Sequence, residues 1–188
     1  MTLWYMADSV TPISGIPVKY QAQRNMGAAL YGNGDFAAPP EVIAHYPRHL
    51  LISVNGDKSA ANSCAILDVE RYDATAADWP EFRATRDEIC RTHDGYQWPI
   101  VYCSIDPDPM HGVAAILHEC RLAGQEPPWH WWIAWYTDGH FMPSQEDVAV
   151  QIHSLTGLHV DPTTIWGCQF ADFGHYDASV IYQRPSWQ

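Results

Sequence analysis

Short apolar runs broken by turn-forming residues recur along the whole chain, and their spacing predicts strands alternating with helices. Residues 3–8 are apolar and aromatic and run into Ser9, Thr11, Pro12 and Gly15, which predicts a first strand with Asp8 at its C-terminal tip. Residues 26–31 read as a second strand closed by Gly32-Asn33-Gly34, whereas residues 16–25 have no clean period. A short helix fits residues 39–46, with Pro at its start and Pro47 behind it, and residues 49–54 form a third strand ended by Asn55-Gly56-Asp57. The fourth strand, residues 64–70, follows with no room for a helix. After it, Thr75 or Asp78 caps a helix to about Thr92, in which Trp79, Phe82, Arg86, Ile89 and Cys90 keep a helical spacing; Gly95 is its stop.

The second half repeats the alternation. Residues 99–104 are a fifth strand, and residues 109–123 a helix with Val113, Ile116, Leu117 and Cys120 on one side, ended by Gly124. A sixth strand spans residues 130–136. Ser144 and Asp147 form a capping box for a helix to Thr156, and residues 164–170 and 178–182 are the seventh and eighth strands. About eight strands with four to five helices predict an irregular TIM-like α/β barrel, parallel in type, whose last strands lack full helical crossovers. Residues 1–188 read as one barrel domain. In such a barrel the working face lies at the C-terminal ends of the strands, where Asp8, Glu70, Ser104 and Tyr136 fall.

The fourth strand ends in chemistry. Side chains alternate faces along a strand, so Asp68 and Glu70 share one wall while Val69 points away. Like charges roughly 6 to 7 Å apart are unfavourable in a buried setting unless one acid is protonated or a ligand uses them.

Composition narrows the partners. Ten Lys and Arg against 22 Asp and Glu give a net charge of -12, which argues against nucleic acid and anionic membrane surfaces. The longest apolar stretches, such as residues 129–136, fall far short of the ~20 residues of a membrane helix, and no basic segment followed by an apolar run opens the chain. The expectation is a protein made in the cytoplasm without a signal peptide. Five cysteines, an odd number without a C-x-x-C pair, read as buried thiols. His111 and His118, seven apart on the predicted helix, have no compact set of partner ligands, so neither metal nor cofactor is expected. Cys103 beside His130 lacks a third group to orient a nucleophile pair. The tryptophans Trp129, Trp131, Trp132 and Trp135 read mainly as packing, with alternate members facing the barrel and the helix layer.

An ordered series of motifs covers nearly the whole chain and resembles glycoside hydrolase family 25, the lysozyme-like muramidases, and the related glycoside-hydrolase-like domains of actinobacteria and their phages. Met6-Ala7-Asp8-Ser9 is similar to the family's first-strand opening, and Leu67-Asp68-Val69-Glu70 to its Asp-x-Glu strand. Pro99-Ile100-Val101-Tyr102, Trp132-Ile133-Ala134-Trp135-Tyr136 and Tyr176-Asp177-Ala178-Ser179 are similar to three later strands. One departure is Trp166-Gly167-Cys168-Gln169, where the family has adjacent Trp-Gln; short loops after the second and third strands are another. The resemblance implies cleavage of the β-1,4 bond after N-acetylmuramic acid in peptidoglycan, at the bacterial cell wall. It implies Glu70 as the general acid; Asp68, Asp8 and Asp177 are the further candidate catalytic acids, and Tyr102, Trp132, Tyr136 and Gln169 the candidate substrate-binding residues.

Glycoside cleavage needs one carboxyl kept protonated for the leaving oxygen and another ionised against the cationic sugar. Like charge from Asp8, Asp68 and Asp177, with desolvation by aromatics, would raise Glu70; Asp68 is then the ionised partner or nucleophile, or positions the N-acetyl group. Retaining and inverting geometries both remain open. The alternative is a non-catalytic bacteriophage virion or tail protein that keeps the barrel for glycan docking beside other virion proteins, since no wall-binding module or linker is visible.

Overall fold

The computed structural model describes residues 2–137 and 139–187. Eight strands close into a barrel in chain order: β1 (Trp4–Asp8), β2 (Met26–Tyr31), β3 (His49–Ser53), β4 (Ile66–Val69), β5 (Ile100–Ser104), β6 (Trp131–Ala134), β7 (Ile165–Asp172) and β8 (Asp177–Ile181). The barrel expected from the alternating pattern is therefore present, with one difference in direction. Strands β1 to β7 run parallel, but β8 is antiparallel to both β7 and β1. Residues 173–176 join β7 to β8, far fewer than the dozen or so a parallel crossover needs, so the chain can only turn back.

Six helices accompany the strands: α1 (Pro12–Gly15), α2 (Lys19–Ala22), α3 (Pro40–Ile43), α4 (Trp79–Thr92), α5 (Val113–Leu122) and α6 (Gln145–Thr156). The first two raise the number above the four to five expected. Each has four residues, barely more than one turn, so periodicity has nothing to register. The α5 helix begins four residues later than its apolar spacing predicts. Asp108 Oδ1 accepts from the amides of Met110 and His111 at 2.8 and 2.9 Å, and this side-chain turn competes with helix. His111 thus sits in the loop before α5 and not on it with His118. The Ser144 and Asp147 box at the start of α6 forms as read.

Strand alternation sorts the core into two layers. Met6, Ala29, Leu50, Ile66, Trp132 and Trp166 face into the barrel, while Leu67, Val69, Val101, Cys103 and Ile133 face out against Phe82 of α4, Ile116 of α5 and Ile152 of α6. Trp131 and Trp132 divide between the layers as alternation requires. A bulge sets Trp132 opposite Gly167 and skips Trp166, which lets both indoles enter the barrel. A Cβ on Gly167 would stand 2.6 Å from Ile181 Cδ1 and 3.2 Å from Val180 O, so a larger residue there would have to displace the Ile181 side chain. At the N-terminal ends of the strands, Trp187 covers Gly27 and meets the Trp4 ring at 6.5 Å, closing that end of the barrel. The opposite rim carries the polar residues. No described helix is long and apolar enough to cross a membrane.

Candidate active site

Each rim residue stands where its strand delivers it. Asp8 is the last residue of β1 and pairs across the sheet with Asp177, the first residue of β8. Because β8 runs backwards, a residue that starts its strand lands beside residues that end theirs. Asp68 lies on β4 opposite Tyr102 of β5, and Glu70 follows directly after β4. Ser104 ends β5, Tyr136 lies two residues past β6, and Gln169 projects from β7. All four carboxyls assigned from sequence reach this one rim.

Their surroundings differ with depth. Asp8 is 7% exposed and Asp68 3%, and the Oδ1 of each has no hydrogen-bond partner among the described residues. Burial pushes both carboxyls well above the usual range, assisted for Asp8 by Asp177 and Glu70, and for Asp68 by Glu70, Asp73 and Asp8. Glu70 is only half-buried; burial and then Asp73 and Asp177 raise it to about 7, with His111 opposing. The repulsion between Asp68 and Glu70 falls on Asp68 because it is the deeper of the two. Asp68, expected from sequence to be the ionised partner, is instead held toward its protonated form. Asp177 has the best supply of donors: Gln169 Nε2 donates to its Oδ2 at 2.7 Å and Tyr136 Oη at 3.2 Å, which oppose the rise caused by burial. Gln169 Nε2 also donates to Tyr136 Oη at 2.6 Å, while its own Oε1 is buried without a partner among the described residues.

The aromatic residues divide by accessibility. Tyr136 is 49% exposed beside Asp177, and Tyr102, 7% exposed, lies edge-on to Trp132 with ring centres 4.8 Å apart. Trp132 itself is buried below, its Nε1 donating to Ser179 Oγ at 3.0 Å, and so supports the floor. Cys103 faces the helix layer, where burial pushes its thiol up and away from nucleophilic use. All five cysteines are free and buried.

Three further residues join the site. Tyr31 ends β2 next to Asp8 and Asp68, and those acids, after burial, raise its hydroxyl. Its strand-end position was the available signal. Asp73 is brought back toward Glu70 by a turn in which its amide donates to Glu70 O at 3.0 Å, a placement no strand pattern encodes. His111, held by Asp108 at 2.8 Å, lines a hollow of about 310 Å³ with Glu70, Arg71 and Ser104. A second hollow of about 190 Å³ is lined by Asp8, Tyr31, Tyr176 and Asp177. Among the described residues no group of three or more His, Cys, Asp or Glu is arranged to hold a metal ion.

The turn after Glu70 is strained. Tyr72 occupies its third position with φ 82°, and it is the one non-glycine residue with positive φ among those described. A type II turn needs that conformation and normally fills it with glycine; a side chain there costs roughly 1–2 kcal/mol. Tyr72 is nevertheless 90% exposed.

Together these groups form an acidic, aromatic-edged rim with a protonatable carboxyl reachable from a hollow. Comparison of the chain with protein-family models, with curated proteins and with solved structures finds no match in any of the three.

Proposed function

We propose that the chain is a glycosidase of muramidase type, cleaving β-1,4 bonds of peptidoglycan or a related wall glycan at the bacterial cell wall, with Glu70 as general acid. The observation that carries this reading is the position and acidity of Glu70, a half-buried carboxyl at the mouth of a hollow, raised to about 7. Such a group is about half protonated at neutral pH and in that form can give its proton to a leaving oxygen. Asp177, supplied with two donors, is the carboxylate best kept ionised near the developing sugar cation. The unpartnered oxygens of Asp8, Asp68 and Gln169 are acceptors suited to the hydroxyl and amide hydrogens of an N-acetylated sugar. No cofactor enters the scheme.

A second reading, glycan docking without turnover as a virion tail component among other virion proteins, draws on the depth of Asp8 and Asp68. Both are held toward neutral forms that bind hydroxyls well and stabilise a cation poorly. Digestion of purified walls separates the two. Glu70→Gln should lower release of reducing ends at least about a hundredfold, and the wild-type rate should fall as pH rises through about 7, where Glu70 loses its proton. Undiminished release by the variant would reject Glu70 as the acid. Wild-type protein that binds glycan without releasing reducing ends would favour docking.

A further inference from the structure

Tyr72 combines features that ordinary packing does not account for. The turn Glu70-Arg71-Tyr72-Asp73 is closed by a backbone hydrogen bond, and its third residue takes a left-handed conformation that glycine or asparagine would adopt with less strain. Burial of the side chain does not offset that strain, since Tyr72 is 90% exposed and no aromatic ring stacks on it among the described residues. One group does lie against it: the Arg71 guanidinium carbon is 5.1 Å from the ring centre. Arg71 in turn lines the hollow that Glu70 opens into. A strained residue that persists beside a reactive group is where function is to be sought.

We propose that Tyr72, braced by Arg71, is an aromatic platform that receives one pyranose ring of a β-linked glycan lying across the Glu70 hollow. This rests on the glycosidase reading and adds to it a residue that selects the substrate. The ring offers an apolar surface to the C–H face of a sugar, and its edge hydroxyl stays in water. Arg71 limits the ring's motion and presents donors to a hydroxyl, carbonyl or carboxylate of the same sugar unit. The turn fixes where the ring stands relative to Glu70, two residues away. A flexible glycine turn would not present that surface.

The test uses full-length Glu70→Gln protein, so that glycan is bound without being consumed, and titrates it calorimetrically with chitohexaose and with peptide-free glycan strands from purified walls. Adding Tyr72→Gly or Tyr72→Asn should weaken the dissociation constant roughly tenfold, as loss of one stacked ring face would. Adding Tyr72→Phe should leave it within about twofold. The thermal midpoint of the glycine variant should stay level or rise by up to ~3 °C, because the backbone strain is relieved. Equal affinity in the ring-less variants overturns the platform alone. Absence of glycan binding by Glu70→Gln itself overturns the platform and the glycosidase reading together.

Discussion

The two ends of the barrel solve opposite problems. At the N-terminal ends of the strands, Trp187 lies over Gly27 and against Trp4, and Arg48 donates to Met26 O and Gln21 O at 2.9 and 2.6 Å. Apolar surface is covered there and a guanidinium finds carbonyl acceptors. Even there, the Trp187 indole nitrogen and Arg86 Nη2 are buried without a partner among the described residues. At the other end, Asp8, Asp68, Glu70, Asp73 and Asp177 converge with no Lys or Arg paired to any of them among the described residues. Burial raises every one of these acids. Apolar cover favours folding at one end, while burial of unpaired acids opposes it at the other.

Substitutions at the two ends should therefore move stability in opposite directions. The largest effect is expected at the sealed end, where Trp187→Ala should remove about 2 to 3 kcal/mol and leave glycan binding at low temperature intact. A loss under about 1 kcal/mol in urea titration would show that the seal contributes little.

A smaller effect of opposite sign belongs to the rim. The folded state keeps the Glu70 proton up to about 7, whereas the unfolded chain releases it near 4.5. Between those values the folded form binds more protons, so stability should fall as pH rises and level off above about 7. Discounted for partial exposure, the Glu70 share is about 2 kcal/mol. Glu70→Gln should flatten that decline, and Asp68→Asn should do the same through its own buried carboxyl. A wild-type stability that rises across this window would break the comparison.

The smallest effect is expected for Tyr136→Phe. It removes a hydroxyl that donates to Asp177 at 3.2 Å and accepts from Gln169 at 2.6 Å. Stability should change by under about 1 kcal/mol, while the Asp177 carboxyl, followed by NMR titration, should move upward as it loses a donor. An unmoved Asp177 would mean that Gln169 alone sets its acidity.

Much of the arrangement was legible because strands carry their chemistry on a two-residue period. Asp8, Asp68, Glu70 and Tyr136 could be placed on one face from alternation and strand ends, and barrel closure did the rest. Direction was harder to read: the run at β8 looks the same whichever way it travels, and the four residues before it were the clue to its reversal. Asp73 and His111 escaped because turns place them, one through a backbone bond to Glu70 and the other through the Asp108 side chain. The protonation order was also hidden. Asp68 and Glu70 look equivalent in sequence, and a two-residue difference in depth decides which is the more reluctant to ionise.

The backward course of β8 also governs how the protein can be held. Since β1 begins, and β8 ends, at the tryptophan-sealed end, a tether joined ahead of Trp4 or behind Trp187 starts from the side opposite the carboxyls. Immobilised through such a tether on a particle or a sensor chip, the molecule would face outward with its acidic mouth unobstructed.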